Sequence, residues 1–276
     1  MARRFSQIDV FGGGECSGNP VAVVLDAEGL SGEEMQRFAT WTNLSETTFV
    51  LPPSSAEADY RVRIFTPVLE LPFAGHPTLG TCHAWLEGGG EPGGREEIVQ
   101  ECGAGLVRIR RDEDRLAFAA PPLVRSGPPS EQEAARVATA LGVDPGEMLA
   151  IEWVDNGPGW IAALFESAEQ VLELRPGALD FDLGAVGFHP SGSEAAIEMR
   201  AFVPVNGLSV EDPVTGSLQA SVAQWLLGSG RLAAPYLATQ GGAIGRTGRV
   251  HIDQDGDRTI WVGGATETVL GGTASI

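Results

Sequence analysis

A helix that is apolar on every face must be covered on every face, and this chain carries two of them. The first follows Ala74-Gly75-His76-Pro77-Thr78 and ends near Trp85-Leu86. The second follows Glu211-Asp212-Pro213-Val214-Thr215-Gly216-Ser217 and runs through Leu218, Ala220, Val222 and Ala223 to Trp225-Leu226. Both have the same neighbours in the same order. Phe65-Thr66-Pro67-Val68 precedes the first and Phe202-Val203-Pro204-Val205 the second. Beyond the helices, Gln100 with Gly103-Ala104 matches Gln240 with Gly242-Ala243. Then Val107-x-Ile109-x-x-Asp112-x-Asp114-Arg115 matches Val250-x-Ile252-x-x-Asp255-x-Asp257-Arg258. The offset drifts from 137 through 140 to 143 along these pairs. Upstream, strand Val21 to Leu25 with Ser31-x-x-Glu34 parallels strand Trp160 to Phe165 with Ser167-x-x-Gln170, and both polar pairs read as capping boxes. A period this long means two domains, because solenoid repeats recur every ~20–50 residues. The match predicts equivalent places for Trp85 and Trp225 in their domains.

Strands outnumber helices in both halves, so the expected fold is α+β. It consists of two similar domains related by internal duplication, each a curled mixed β-sheet or barrel around its central buried helix. The first domain covers 1–120 and the second 130–276, joined by a proline-rich linker at about 119–130. Along the chain, Phe5 to Phe11 alternates as a strand, Ser31 to about Trp41 is a helix, and Asn43-Leu44-Ser45-Glu46-Thr47 enters a strand through Val50. Strand Tyr60 to Thr66, a glycine-rich loop from Gly88 to Gly94 and a hairpin from Ile98 to Phe118 complete the first half. The second half adds a helix from Ser130 to Leu141. The tail after Trp261, with Val269-Leu270, reads as a strand able to return to the first half.

Composition narrows the chemistry. All 18 basic residues are Arg, and the absence of Lys removes Schiff-base chemistry and the lysine of a phosphate-binding loop. Cys16, Cys82 and Cys102 are odd in number and widely spaced, which indicates neither a disulfide framework nor a zinc site. No metal and no cofactor is expected. A net charge of −19 argues against nucleic acid or an anionic membrane as partner. Met1-Ala2-Arg3-Arg4 leads into polar residues, which fits a cytoplasmic chain and not a signal peptide. Gly12-Gly13-Gly14 looks like a nucleotide motif, but a strand follows where a dinucleotide fingerprint must open a helix.

The two helix mouths carry the site reading. Backbone N–H groups at a buried helix N-terminus favour an anion through hydrogen bonds and the helix dipole, so a small anionic substrate is expected in a cleft between the halves. Gly75-His76-Pro77 is one mouth and Thr215-Gly216-Ser217 the other. Asp212 before Pro213 is a strong helix start, and as an N-cap it is explained without function. Glu46 is harder to explain structurally. A carboxylate between Leu44 and an aromatic strand is a candidate general base, its pKa raised by desolvation.

Five segments resemble the signatures of the PhzF-like (phenazine biosynthesis) isomerases. They are Gly18-Asn19-Pro20-Val21-Ala22-Val23-Val24-Leu25, Asn43-Leu44-Ser45-Glu46-Thr47, Phe65-Thr66-Pro67, Gly75-His76-Pro77-Thr78-Leu79 and Glu211-Asp212-Pro213-Val214-Thr215-Gly216-Ser217. The resemblance implies the diaminopimelate epimerase fold, a homodimer, and isomerisation of trans-2,3-dihydro-3-hydroxyanthranilate or a related compound without a cofactor. It puts the proton transfer on Glu46, with His76 and Asp212 as catalytic partners. Asn19, Gly75, Thr215, Gly216 and Ser217 become substrate-binding positions. Leu218-Gln219-Ala220 departs from the family's Ala-His-Cys after the serine, which bears on the pocket's shape and the substrate. An amino-acid racemase or epimerase of the same fold is the alternative, but it needs a thiol from each half, and Cys82 lies a turn or more inside its helix. A non-catalytic ligand-binding or interaction protein is the other, and Glu46, His76 and Asp212 together argue against it.

Overall fold

The computed structural model describes residues 2–93, 95–112, 115–205 and 208–276; Met1, Gly94 and Asp114, which figure in the sequence reading, lie outside them. Among the described residues there are eighteen β-strands and five α-helices, a sheet-dominated α+β fold. Two compact units result, one of residues 1–119 with 263–276 and one of residues 120–262. No helix among the described residues is long and apolar enough to cross a membrane.

In the first unit, Ala2–Val10 pairs antiparallel with Asn19–Val24 on one edge and with Thr266–Ser275 on the other. The tail thus joins the N-terminal strand, paired from Ala2 with Ser275 to Val10 with Thr266, with a register shift between Gln7 and Ile8. Helix Gly32–Thr42 carries the chain across to Glu46–Leu51, which lies parallel to Asn19–Val24, and Tyr60–Phe65 turns back antiparallel to it. Helix Gly75–Glu87 makes the next crossover, to Glu97–Cys102, parallel to Tyr60–Phe65. The expected hairpin from Ile98 to Phe118 is in fact three strands, Glu97–Cys102, Gly105–Asp112 and Arg115–Ala119. Its first reversal is the Gly103-Ala104 turn, where Cys102 pairs with Gly105.

The two helices of this unit differ as their sequences require. Gly32–Thr42 buries one face, setting Met35 and Ala39 against Val24, Phe49 and Phe65. Ser31 caps it with the reciprocal Glu34 contact. Gly75–Glu87 is instead buried from Gly75 through Cys82 and packs on Ala2–Val10, Asn19–Val24, Glu46–Leu51, Arg115–Ala119 and Thr266–Ser275. Each large apolar side chain enclosed this way contributes about 1.5–3 kcal/mol.

In the second unit, Ala150–Asp155 pairs antiparallel with Ile161–Phe165, and helix Ala168–Glu173 crosses to Leu183–Phe188, parallel to Ile161–Phe165. Ile197–Val205 follows antiparallel and then Leu208–Asp212. The buried helix Gly216–Gly228 crosses to Tyr236–Gln240, parallel to Ile197–Val205, with Gly248–Gln254 antiparallel beyond. The additional helix Glu131–Leu141 packs Val137 and Leu141 on Phe165 and Phe202. Each unit therefore uses the same order of parallel and antiparallel pairings.

One expectation fails. Counted from the helix start, Trp85 is the eleventh of 13 residues in Gly75–Glu87 and Trp225 the tenth of 13 in Gly216–Gly228. Trp85 lies on Tyr60, ring centroids 5.1 Å apart, whereas the eleventh place of the second helix is taken by fully buried Leu226. The tryptophans are not equivalent, because the ends of the two helices are filled by different side chains.

Candidate active site

In the first unit three polar residues far apart in sequence converge. Asn19 opens one strand, Glu46 opens the strand parallel to it, and His76 is the second residue of the buried helix. Sheet register brings Val21 beside Glu46, and the helix N-terminus does the rest. Asn19 Nδ2 stands 3.3 Å from His76 Nδ1, and His76 Nε2 stands 3.1 Å from Glu46 Oε2. An amide nitrogen only donates, so Nδ1 accepts and the neutral ring carries its proton on Nε2, facing the carboxylate. The last two atoms are within reach but short of full hydrogen-bond alignment. The side chains of His76 and Glu46 are 4% and 15% exposed. Burial pushes the His76 imidazole down to about 3, so a neutral ring faces the Glu46 carboxylate.

The loop before Asn19 is held from beneath. Buried Asp9 accepts from the backbone N–H of Ser17 and Gly18, and a Cβ on Gly18 would meet Val10 O at 2.1 Å. Only glycine permits that approach, which delivers Asn19 to the ring. Gly75 is the first residue of the helix, and no side chain caps it at Ala74. Cys82 is fully buried in the same helix, its thiol pushed up to about 12 by burial. That makes it a packing residue and not a thiolate base. Cavities of about 540 and 590 Å³ in this unit touch none of Asn19, Glu46 and His76.

In the second unit the helix begins later than its sequence suggests. Asp212 is not the N-cap: it ends strand Leu208–Asp212, paired with Ala201, and the helix starts at Gly216 with Thr215 as N-cap. Sheet pairing overrides the local Asp-Pro preference for a helix start. Asp212 instead accepts from the Thr215 hydroxyl. Gln240 then ties the mouth together. Its Oε1 accepts from Thr215 N and Gln219 Nε2, both at 3.0 Å, while its Nε2 donates to Thr215 Oγ1 and Asp212 O. The departing segment Leu218-Gln219-Ala220 is wholly buried, and Gln219 thus joins the framework of the mouth. Glu211 has a structural partner, a two-pronged pair with buried Arg200 at 2.7 and 3.0 Å.

Ser217 is reached from the loop before strand Ile161–Phe165, which includes Trp160, expected in the strand itself. Trp160 Nε1 donates to Ser217 Oγ at 3.1 Å and Asn156 Nδ2 to Ser217 O at 2.9 Å. The available signal was Asp155-Asn156-Gly157-Pro158-Gly159-Trp160, a turn composition ending in an aromatic residue with a donor.

Comparison with known proteins follows the same lines. The family model described as "Phenazine biosynthesis-like protein" matches residues 8–274. The chain belongs to this family. Trans-2,3-dihydro-3-hydroxyanthranilate isomerase of Pseudomonas aeruginosa is 36% identical, with 92% of this chain and 91% of that protein covered. "Antisense-enhancing sequence 1" of Schizosaccharomyces pombe, whose name states no reaction, is also 36% identical, over 99% and 98%. A Bacillus anthracis phenazine biosynthesis protein of the PhzF family superposes with a TM-score of 0.82 at 24% identity over the whole of both chains, a likeness of fold. As a PhzF-like protein, the chain is an isomerase.

Proposed function

We propose that this PhzF-like isomerase moves a proton between two carbons of a small carboxylate-bearing substrate, trans-2,3-dihydro-3-hydroxyanthranilate or a related compound, without a cofactor. The observation that carries this reading is the buried contact of Glu46 Oε2 with His76 Nε2 at 3.1 Å. Glu46 takes the proton as the substrate C–H bond breaks, the electron pair shifts through the conjugated system, and the same carboxyl returns the proton to the second carbon. Neutral His76 places its Nε2 beside Oε2, and the transfer is assigned to Oε1. One base returning its own proton yields a shift on one face, in contrast to the inversion of a racemase. Asp212 is assigned to the substrate's amino or hydroxyl group and to proton relay. Gly75, Thr215, Gly216 and Ser217 are assigned to holding its polar groups. The absence of side-chain caps at Ala74 and Thr215 supports this, since uncapped first-turn N–H groups suit a carboxylate.

A positioned general base contributes about 10²–10⁴-fold. Glu46→Gln keeps shape and hydrogen bonding but accepts no proton, so turnover and solvent deuterium uptake are expected to fall by about that factor while ligand binding persists. Exchange at the wild-type rate in the variant would show that Glu46 is not the base.

The non-equivalent tryptophans remove the sequence match as an argument for duplication, and the common order of pairings in the two units is the remaining support for it. The protein is further proposed to be a homodimer, and sedimentation as a monomer at micromolar concentration would remove that part.

A further inference from the structure

We propose that the loop from Asp155 to Trp160 is a positioning device that makes Ser217 a fixed hydrogen-bond donor to a substrate oxygen, carboxylate or carbonyl. The inference rests on the assignment of Ser217 to substrate holding and adds what orients it. An indole N–H donates and never accepts. At 3.1 Å from Trp160 Nε1, Ser217 Oγ is therefore the acceptor, and its own proton must point along another direction. Ser221, one turn further along the same helix, shows the alternative: its hydroxyl donates back to Leu218 O at 3.1 Å, the usual fate of a helical serine. Ser217 is the second residue of the helix, so four residues back lies Pro213, outside it.

The loop is built to hold this arrangement. Asn156 Nδ2 secures the Ser217 backbone at 2.9 Å while Trp160 secures its side chain, so one loop grips both parts of one residue. Asn156, Trp160 and Ser217 are 8%, 2% and 7% exposed, which keeps water from competing for the hydroxyl. Asp155 Oδ1 folds the loop by accepting from Gly157 N and Gly159 N at 2.7 and 2.8 Å. Both glycines have positive φ, +139° and +97°, a backbone that side-chain-bearing residues resist. Val154 N donates to Trp160 O at 3.0 Å and closes the base. Trp160 and Asn156 act through Ser217 and are positioning residues.

The test is a double-mutant cycle read in two ways. With trans-2,3-dihydro-3-hydroxyanthranilate as probe, Ser217→Ala and Trp160→Phe are each expected to lower kcat/KM about tenfold, the scale of one hydrogen bond. The loss should fall on kcat and not on KM, because a donor to a substrate oxygen gains most as negative charge develops there. The double variant should be no slower than Ser217→Ala alone. In ¹H–¹⁵N spectra without substrate, the Trp160 indole resonance, identified by its loss in Trp160→Phe, should move in Ser217→Ala. Should Trp160→Phe fail to fold, Asn156→Leu carries the same cycle. Additive losses, or an indole resonance unmoved by Ser217→Ala, overturn the proposal. A wild-type protein inert to the probe whose indole resonance still responds would keep the orientation of Ser217 and cost only the substrate assignment.

Discussion

His76 gives up the range in which a histidine usually switches. Its folded pKa of about 3 lies below the ordinary 6.5, with burial as the cause. Between those values the unfolded chain binds the proton more readily than the folded one. Stability therefore rises with pH from about 3 to 6.5 and is lost as pH falls through that window. His76→Asn, which cannot titrate, is expected to lose less stability than the wild type between pH 7.5 and pH 4 in urea unfolding. Asn19 sets the tautomer, and Asn19→Asp tests that role. A carboxylate at this place draws a proton to Nδ1, so ¹⁵N spectra of His76 should change from an unprotonated to a protonated Nδ1, with protonation of the ring at higher pH. An unchanged Nδ1 signal in that variant would remove the tautomer argument. At this scale the sequence was partly legible. Glu46, His76 and Asn19 stand out singly, as a carboxylate at a junction, a helix mouth and a Gly-Asn-Pro turn. Their mutual contacts follow from parallel strand register, which no short motif encodes. Asn156 and Trp160 reach Ser217 across 61 and 57 residues, and a contact of that span leaves no periodicity to read.

Elements were more legible where the signal was local. The Ser31 and Ser167 capping boxes form as read, each with reciprocal contacts to the third residue of its helix, because both partners lie within one turn. Asp212 shows the converse. Its cap propensity is outweighed by pairing with Ala201, and the helix waits until Gly216. The strand end that wins this contest is anchored by the pair of Arg200 and Glu211, with side chains 6% and 9% exposed. Arg200 also donates to Val171 O and Leu174 O, joining the helix Ala168–Glu173 to Ile197–Val205. Removing one member of a buried pair strands the other charge, so Glu211→Gln is expected to cost about 3–5 kcal/mol in denaturant unfolding. Replacing both by apolar residues of similar volume should cost much less. A Glu211→Gln loss below about 1 kcal/mol, the range of exposed pairs, would show that the pair contributes as a surface contact does.

At the scale of the whole molecule, the chain closes its first unit with its last residues. Thr266–Ser275 pairs with Ala2–Val10 along the full length of that strand. It also reaches the buried helix: His83 Nδ1 lies 2.9 Å from Thr266 Oγ1 and His83 Nε2 lies 3.1 Å from Thr268 Oγ1. His83 sits two turns along the helix whose first turn carries His76, so the tail is tied to the middle of that helix. The first unit buries Val10, Val21 and Leu79 completely, and opening one edge of Ala2–Val10 exposes backbone groups that had partners. Deleting residues 266–276 is therefore expected to raise amide exchange in residues 2–10 and 75–87, measured by mass spectrometry, and to lower activity with it. Residues 120–262 belong to the other compact unit and should keep their protection, because local stability follows the packing of each cooperative part. Full protection of residues 75–87 in the truncated chain would mean that the strands on the helix's other sides suffice. The tail would then be an edge cover with no bearing on His76.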